Sequence, residues 1–291
     1  MSGIICESVV QLPQGKGMFI WKIKNCAGGD VDAIARQAAA LGLSWVAPKI
    51  TAGWHTYNWR KDASGVWVDD YIPALKAALD AVGVALWGWG SVWLLNGDRE
   101  ATVAKARVEQ FGLQGFLIDA EGQAKESADR YRQARNYSAV MGQADFAVGL
   151  CSYRYPEYHP ELPWDELLDC CDFHAPQVYW IHGRDPAGQL GLSMSSLRVL
   201  RDLPFVPAGP AFDEHGWCPM STELDDFDAA CQDTGCLGVI WWEWDEADDN
   251  DFLDVIGRHD WGVGPEPVLT LEEKVEIVKG AVEQLHGVVL W

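Results

Sequence analysis

A closed (β/α)8 barrel followed by a helical extension is the fold this sequence predicts, on three observations. Eight short, apolar, β-rich runs alternate with eight helical runs in strict order, the pattern of βα units on a parallel sheet. No G-x-G-x-x-G follows the first run, as a doubly wound nucleotide-binding sheet would require. The 291 residues, 48% hydrophobic and 22% charged, suffice for one large domain with a sizeable core.

In chain order the strands are expected at MFIWKI (18–23), WVAPKI (45–50), ALWGWG (about 84–89) and GFLIDAE (115–121). FAVGLCS (146–152), FHAPQVYW (173–180), PFVPAGPAF (204–212) and GVIWWEWD (238–245) complete the eight. Helical patterns fall at 30–42, 69–82, 98–111, 126–141, 164–170, 189–201, 221–232 and 248–257. Asp30, Asp98 and the Ser221-Thr222 pair with Glu223 stand where N-caps belong. The barrel domain is thus expected over 1–262. A Gly- and Pro-rich linker then leads, within 263–291, to a helix with a rough apolar stripe at Leu271, Val275, Ile277, Val278, Val282 and Leu285. That helix either packs on the barrel or serves oligomerisation or tethering.

Charge and composition narrow the function. With 22 basic and 43 acidic residues the formal charge is −21, which disfavours nucleic acid and anionic membranes as partners. Nothing approaches the roughly 18 unbroken apolar residues of a membrane span. The N-terminal MSGIICESVVQLPQGKG lacks the pattern of a secretory leader, so synthesis in the cytosol is expected, with release by another device if the protein acts outside. Eight cysteines without framework spacing read as buried thiols, with at most one disulfide and no cysteine-bound metal. Tryptophan is the outlier at 16 residues, several near strand ends, Trp89 among them. Such a cleft stacks on flat apolar faces, and sugar rings offer them.

Barrel enzymes hold their chemistry at the C-terminal ends of the strands. There the fourth strand ends in Asp119 and Glu121, two residues apart and therefore on one side, roughly 6–7 Å apart along the chain. Two carboxylates that close repel, so one keeps a proton while the other stays charged, as glycoside hydrolysis requires. Glu121 is expected to be the raised member. Gln177 and Tyr179 share one side at the end of strand six. On strand eight Trp242 and Glu243 face opposite ways, so either an indole floor or a third carboxylate points inward. Lys22 and Lys49, ending strands one and two, either pair with Asp119 and hold it ionised or neutralise an acidic mouth. No phosphate loop, G-x-S-x-G elbow or H-E-x-x-H is present, and the seven histidines lack tight ligand spacing. No cofactor or metal is therefore expected.

The D-A-E of strand four, the Q-V-Y of strand six and the G-V-I-W-W-E-W-D of strand eight resemble the chitinase-like glycosidase barrels. The D-x-E also resembles that of the Chalaropsis-type lysozymes. S-Y-R-Y-P (152–156), G-W-C-P (216–219) and the C-terminal L-E-E-K helix resemble cell-wall hydrolase modules of phage and prophage. The resemblance implies Glu121 as general acid and Asp119 as the group that steadies a substrate acetamido. It implies that Tyr179 bonds that acetamido and Trp242 lies beneath it. The chain departs from these families at Gln114, Leu117 and Lys22, where they carry aspartates. No strand-seven glutamate offers a second nucleophile, which favours substrate-assisted hydrolysis. The expected function is a glycoside hydrolase on N-acetylhexosamine glycans, peptidoglycan ahead of chitin. The rivals are a silent sugar-binding or structural barrel of a phage particle and a metal-dependent hydrolase.

Overall fold

The computed structural model describes residues 10–61, 64–181, 183–214 and 216–263, together with Lys279. The expected linker and C-terminal helix thus lie, but for Val263 and Lys279, outside the described residues, as does the N-terminal segment 1–9 with Cys6. The eight barrel strands are β1 (Gly15–Ile20), β2 (Trp45–Ala52), β3 (Ala85–Leu86 and Gly88–Val92), β4 (Gly115–Ala120), β5 (Ala147–Cys151), β6 (Phe173–His174), β7 (Ala208–Pro210) and β8 (Gly238–Trp242). The helices are α1 (Val31–Ala40), α2 (Tyr71–Asp80), α3 (Gly97–Phe111), α4 (Gly122–Glu126), α5 (Arg130–Met141), α6 (Trp164–Leu168), α7 (Pro186–Leu200), α8 (Ser221–Asp233), α9 (Trp244–Asp249) and α10 (Phe252–Arg258).

Neighbouring strands pair in parallel from β7 through β8, β1, β2, β3, β4 and β5 to β6. The ring closes between β6 and β7, where His174 N donates to Pro204 O, Val206 N to His174 O and Ala208 N to Pro176 O, each at 2.8 Å. This is the expected (β/α)8 barrel. Both closing strands are shorter than their apolar runs, because Pro176, Pro204, Pro207 and Pro210 have no N–H to give to a ladder. The first strand begins three residues earlier than expected and ends at Ile20, so Lys22 lies beyond it, before the 3-10 turn Ile23–Gly29.

Caps explain several boundaries. Asp30 Oδ1 accepts from Asp32 N and Ala33 N, both at 3.0 Å, to start α1. Asn96 rather than Asp98 caps α3, accepting from Arg99 N at 3.2 Å. Glu223 accepts from Met220 N at 2.8 Å ahead of α8. The 53–70 connection holds two elements the sequence reading missed. His55–Thr56 pairs antiparallel with β2, and Trp59–Lys61 pairs antiparallel with Trp67–Asp70.

Alternation along the strands sorts the core into two shells. Met18, Ile20, Val46, Phe116, Ile118, Val148, Leu150 and Trp241 face the helices. Phe19, Trp45, Ala47, Trp87, Leu117, Phe173, Ala175 and Ile240 fill the barrel. Bulky rings fit inside because glycines face them. A Cβ on Gly17 would enter the Trp45 indole, and one on Gly149 the Phe173 ring. Among the described residues the seven cysteines are free thiols, six of them buried.

Candidate active site

The same alternation that packs the interior delivers the polar residues at its mouth. Two residues past the inward Leu117 comes Asp119, and two further is Glu121, just ahead of α4. The two carboxyl groups hydrogen-bond each other. Gln177 Nε2 donates to Glu121 Oε1 at 2.6 Å and to Asp119 Oδ1 at 3.2 Å. From the other side Ser91 Oγ donates to Asp119 Oδ2 at 3.2 Å, and Lys49 Nζ donates to Ser91 Oγ at 2.8 Å. A chain of donors therefore runs from β2 through β3 to the β4 carboxylate.

Burial and neighbouring charge act together on this centre. Burial, with the Glu121 carboxylate alongside, holds Asp119 well above the usual carboxylate range, although Lys49 and Ser91 pull the other way. The upward shift thus falls on Asp119, where an ionised group paired to a lysine was expected. Lys49 reaches Asp119 only through Ser91, and burial holds its ammonium below the usual lysine range against the pull of both carboxylates. Burial, and then Cys151, Glu121 and the other acidic groups around it, keeps Tyr179 a neutral hydroxyl. Burial likewise keeps Cys151, 3.9 Å from Gln177 Nε2, a neutral thiol.

Strand eight resolves its ambiguity in favour of the indole. Trp242 packs edge-on against Phe19 (5.4 Å) and Trp89 (5.1 Å) at the top of the barrel interior. Trp89 itself is only 2% exposed, tied by Nε1 to Ile20 O at 3.1 Å, with Lys49 Nζ 4.6 Å from its ring centre. It supports the floor from below rather than lining the opening. Glu243, joined to Trp242 by a cis peptide, is 2% exposed and accepts from Trp21 N at 2.9 Å. Burial and a hydrogen bond with Asp245 push its carboxyl up to about 9, so it is a neutral acid linking the ends of β8 and β1. The expectation that Glu243 meets substrate gives way to this internal tie. Lys22 lies 3.9 Å over the Trp21 ring rather than against Asp119.

Around this centre stand residues the sequence reading did not single out. Asn58, buried with φ 62°, accepts from Ile23 N at 3.0 Å and donates to Trp21 O (3.1 Å) and Lys49 O (2.8 Å). It fastens the 53–70 excursion to the ends of β1 and β2. The excursion walls a cleft of about 930 Å³ with Lys22, Lys24, Tyr57, Trp59 and Tyr71. On the opposite rim Tyr153 stacks on His159 (3.5 Å between centres), whose Nδ1 lies 3.1 Å from Lys125 Nζ. Ser91 was findable as the second residue past Trp89 on an inward face. Asn58 carried no such signal, because its partners lie on other segments. Among the described residues no group of three or more His, Cys, Asp or Glu is arranged to hold a metal ion.

No family model and no curated protein sequence matches the chain. Solved structures do match. A GH18 chitinase from Pseudoalteromonas aurantia superposes with TM-score 0.59 at 12% identity, over 84% of this chain and 99% of its own. A plant class V chitinase from Cycas revoluta, solved as a mutant with (GlcNAc)3, gives 0.59 at 9% identity, over 83% and 98%. The spore cortex-lytic enzyme SleL of Bacillus megaterium gives 0.56 at 7% identity, over 86% and 76%. At these identities the likeness establishes the fold, a (β/α)8 barrel of the architecture found in glycoside hydrolases.

Proposed function

We propose that this chain is a glycoside hydrolase acting on N-acetylhexosamine glycans, with peptidoglycan ahead of chitin. The observation that carries the reading is the hydrogen-bonded Asp119–Glu121 pair, bridged by Gln177, at the C-terminal mouth of a barrel floored by Trp242. The solved structures it resembles include enzymes described as chitinases and as a spore cortex-lytic enzyme, which supports this substrate class.

The chemistry follows from one shared proton. At rest Asp119 holds it and donates to Glu121. Transfer to Glu121 makes that residue the general acid, which protonates the glycosidic oxygen as the bond to the anomeric carbon breaks. Asp119 is left anionic, beside an acetamido group whose oxygen attacks the anomeric carbon and whose nitrogen gains positive character. Ser91, backed by Lys49, donates to the new Asp119 carboxylate and stabilises it. Tyr179 keeps a neutral hydroxyl to hold the acetamido oxygen. No second nucleophilic carboxylate is needed. Mass spectrometry of peptidoglycan digested by the protein tests the reading. New reducing-end N-acetylhexosamines are expected, and cleavage confined to peptide bonds, or none, defeats it.

A further inference from the structure

The cleft beside the carboxylates has a charge the rest of the molecule does not prepare one for. The chain carries 43 acidic against 22 basic residues. Yet the described wall of this cleft presents Lys22, Lys24 and Arg60 with His55 and no carboxylate. Neither lysine forms an ion pair with a described acidic group. Lys22 lies over the Trp21 indole, and Lys24 is exposed at the rim. These cations are not required to balance the reacting pair. Lys49 already faces Asp119 through Ser91. The cleft lies beside that centre, since the Tyr57 ring in its wall is 5.1 Å from Lys49 Nζ. Beside the lysines, Tyr57, Tyr71 and Trp59, the last 40% exposed, offer aromatic surface to a sugar ring. Aromatic faces alone serve a neutral glycan. Two ammonium groups beside them, neither paired to a described carboxylate, suit a glycan that brings its own anion.

We infer that this cleft is a subsite for a carboxylate-bearing sugar, held on the Tyr57, Trp59 and Tyr71 wall with its carboxylate between Lys22 and Lys24. The inference deepens the proposed function by naming the acidic glycan as the preferred substrate class. The carboxylate is either on an ether arm, as in N-acetylmuramic acid, or on the ring, as in a uronic acid.

Calorimetric titration tests it, using the full chain with Glu121→Gln so that no probe is consumed. The probes are three tetrasaccharides: one of N-acetylglucosamine and N-acetylmuramic acid, one of N-acetylglucosamine and glucuronic acid, and neutral N-acetylglucosamine. At least one acidic probe should bind more tightly than the neutral one, and whichever does identifies the carboxylate's position. Combining Lys22→Gln with Lys24→Gln should lower the acidic-to-neutral affinity ratio about tenfold, the size of a charge-assisted hydrogen bond. Lys24→Glu, an exposed change that leaves folding intact, should lower it further, and added salt should narrow it in the parent protein. A ratio of one, a ratio the substitutions leave unchanged, or no binding of either acidic probe overturns the inference. An acidic preference in a protein whose wild type cleaves no glycan defeats the hydrolase reading and leaves the subsite standing. Cleavage without acidic preference does the reverse.

Discussion

Two buried lysines, one at each end of the barrel, show how differently one strand pattern is used. At the closed end Lys16 donates to the carbonyl oxygens of Leu41 (2.7 Å), Ile256 (3.2 Å) and Gly257 (3.3 Å). At the open end Lys49 donates to a hydroxyl that in turn donates to a carboxylate. Burial lowers both ammonium groups from the ordinary lysine range. The first is bound to backbone that cannot change protonation, and so it joins β1 to the chain around it. The second is bound to groups that exchange a proton, and so it can respond to chemistry. The inward shell divides in the same way, into rings and small residues below and Lys49, Ser91, Asp119, Gln177 and Tyr179 above. Changes above should alter rate and spare the fold, and changes below should do the opposite.

The largest effect should come from Glu121→Gln. Loss of general acid catalysis lowers turnover by about 10²–10⁴-fold, with the melting temperature nearly unchanged. Wild-type kcat in this variant would move the acid elsewhere and dissolve the division. Asp119→Asn sharpens it further. Its rate loss should be confined to substrates with an N-acetyl group. Because burial raises the Asp119 pKa in the folded state, the native protein loses stability as pH rises from the unfolded carboxylate value towards the folded one. Asn removes that loss, so the variant should melt higher than wild type at neutral pH and lose the advantage near pH 4. A lower melting temperature at pH 7 would contradict this.

Below the mouth, Gly17→Ala pushes a methyl into the Trp45 indole. Overpacking of this kind costs about 1–3 kcal/mol, and each kcal/mol lowers the melting temperature by about 2–4 °C in a domain of this size. Thermal melts and kinetics together check it, and kcat should remain within about twofold at a temperature where the variant is folded. A loss of activity larger than the loss of folded protein would show that plug and mouth are coupled. The last test concerns Glu243. With its carboxyl at about 9, wild-type stability should fall between roughly pH 4.5 and pH 9 as the unfolded chain gives up a proton the native state keeps. Glu243→Gln, which still accepts from Trp21 N and donates to Asp245, should flatten that slope. Denaturant melts across the interval decide, and an unchanged slope would assign the pH dependence to other groups.

Much of this architecture was legible in the residues. The eight runs gave the barrel, and the spacing of Leu117, Asp119 and Glu121 placed both carboxylates at the mouth, because side-chain facing repeats every two residues. Where expectation and structure part, the cause is tertiary. Lys22 left the strand end because Asn58, arriving from a distant loop, takes the backbone groups of Trp21 and Ile23. Spacing required Trp242 and Glu243 to face opposite ways but could not say which faced inward. That was decided by Phe19 and Trp89, which receive the indole. The raised Asp119 carboxyl depends on depth, which spacing within one strand does not reveal.

The anchoring of the 53–70 excursion has a consequence for how such a barrel diversifies. Its moorings include the His55–Thr56 pairing with β2 and two side chains. Asn58 makes three hydrogen bonds to the strand ends, and Asp70 receives Arg107 of α3 at 2.7 Å while capping α2 through Ile72 N at 3.0 Å. Of the cleft's wall, Trp59 and Arg60 lie between those two residues, whereas Lys22, Lys24, Tyr57 and Tyr71 stand outside them on the frame of the barrel. A lineage that keeps Asn58 and Asp70 can therefore exchange one aromatic face of the cleft and still inherit its lysines and the proton chemistry.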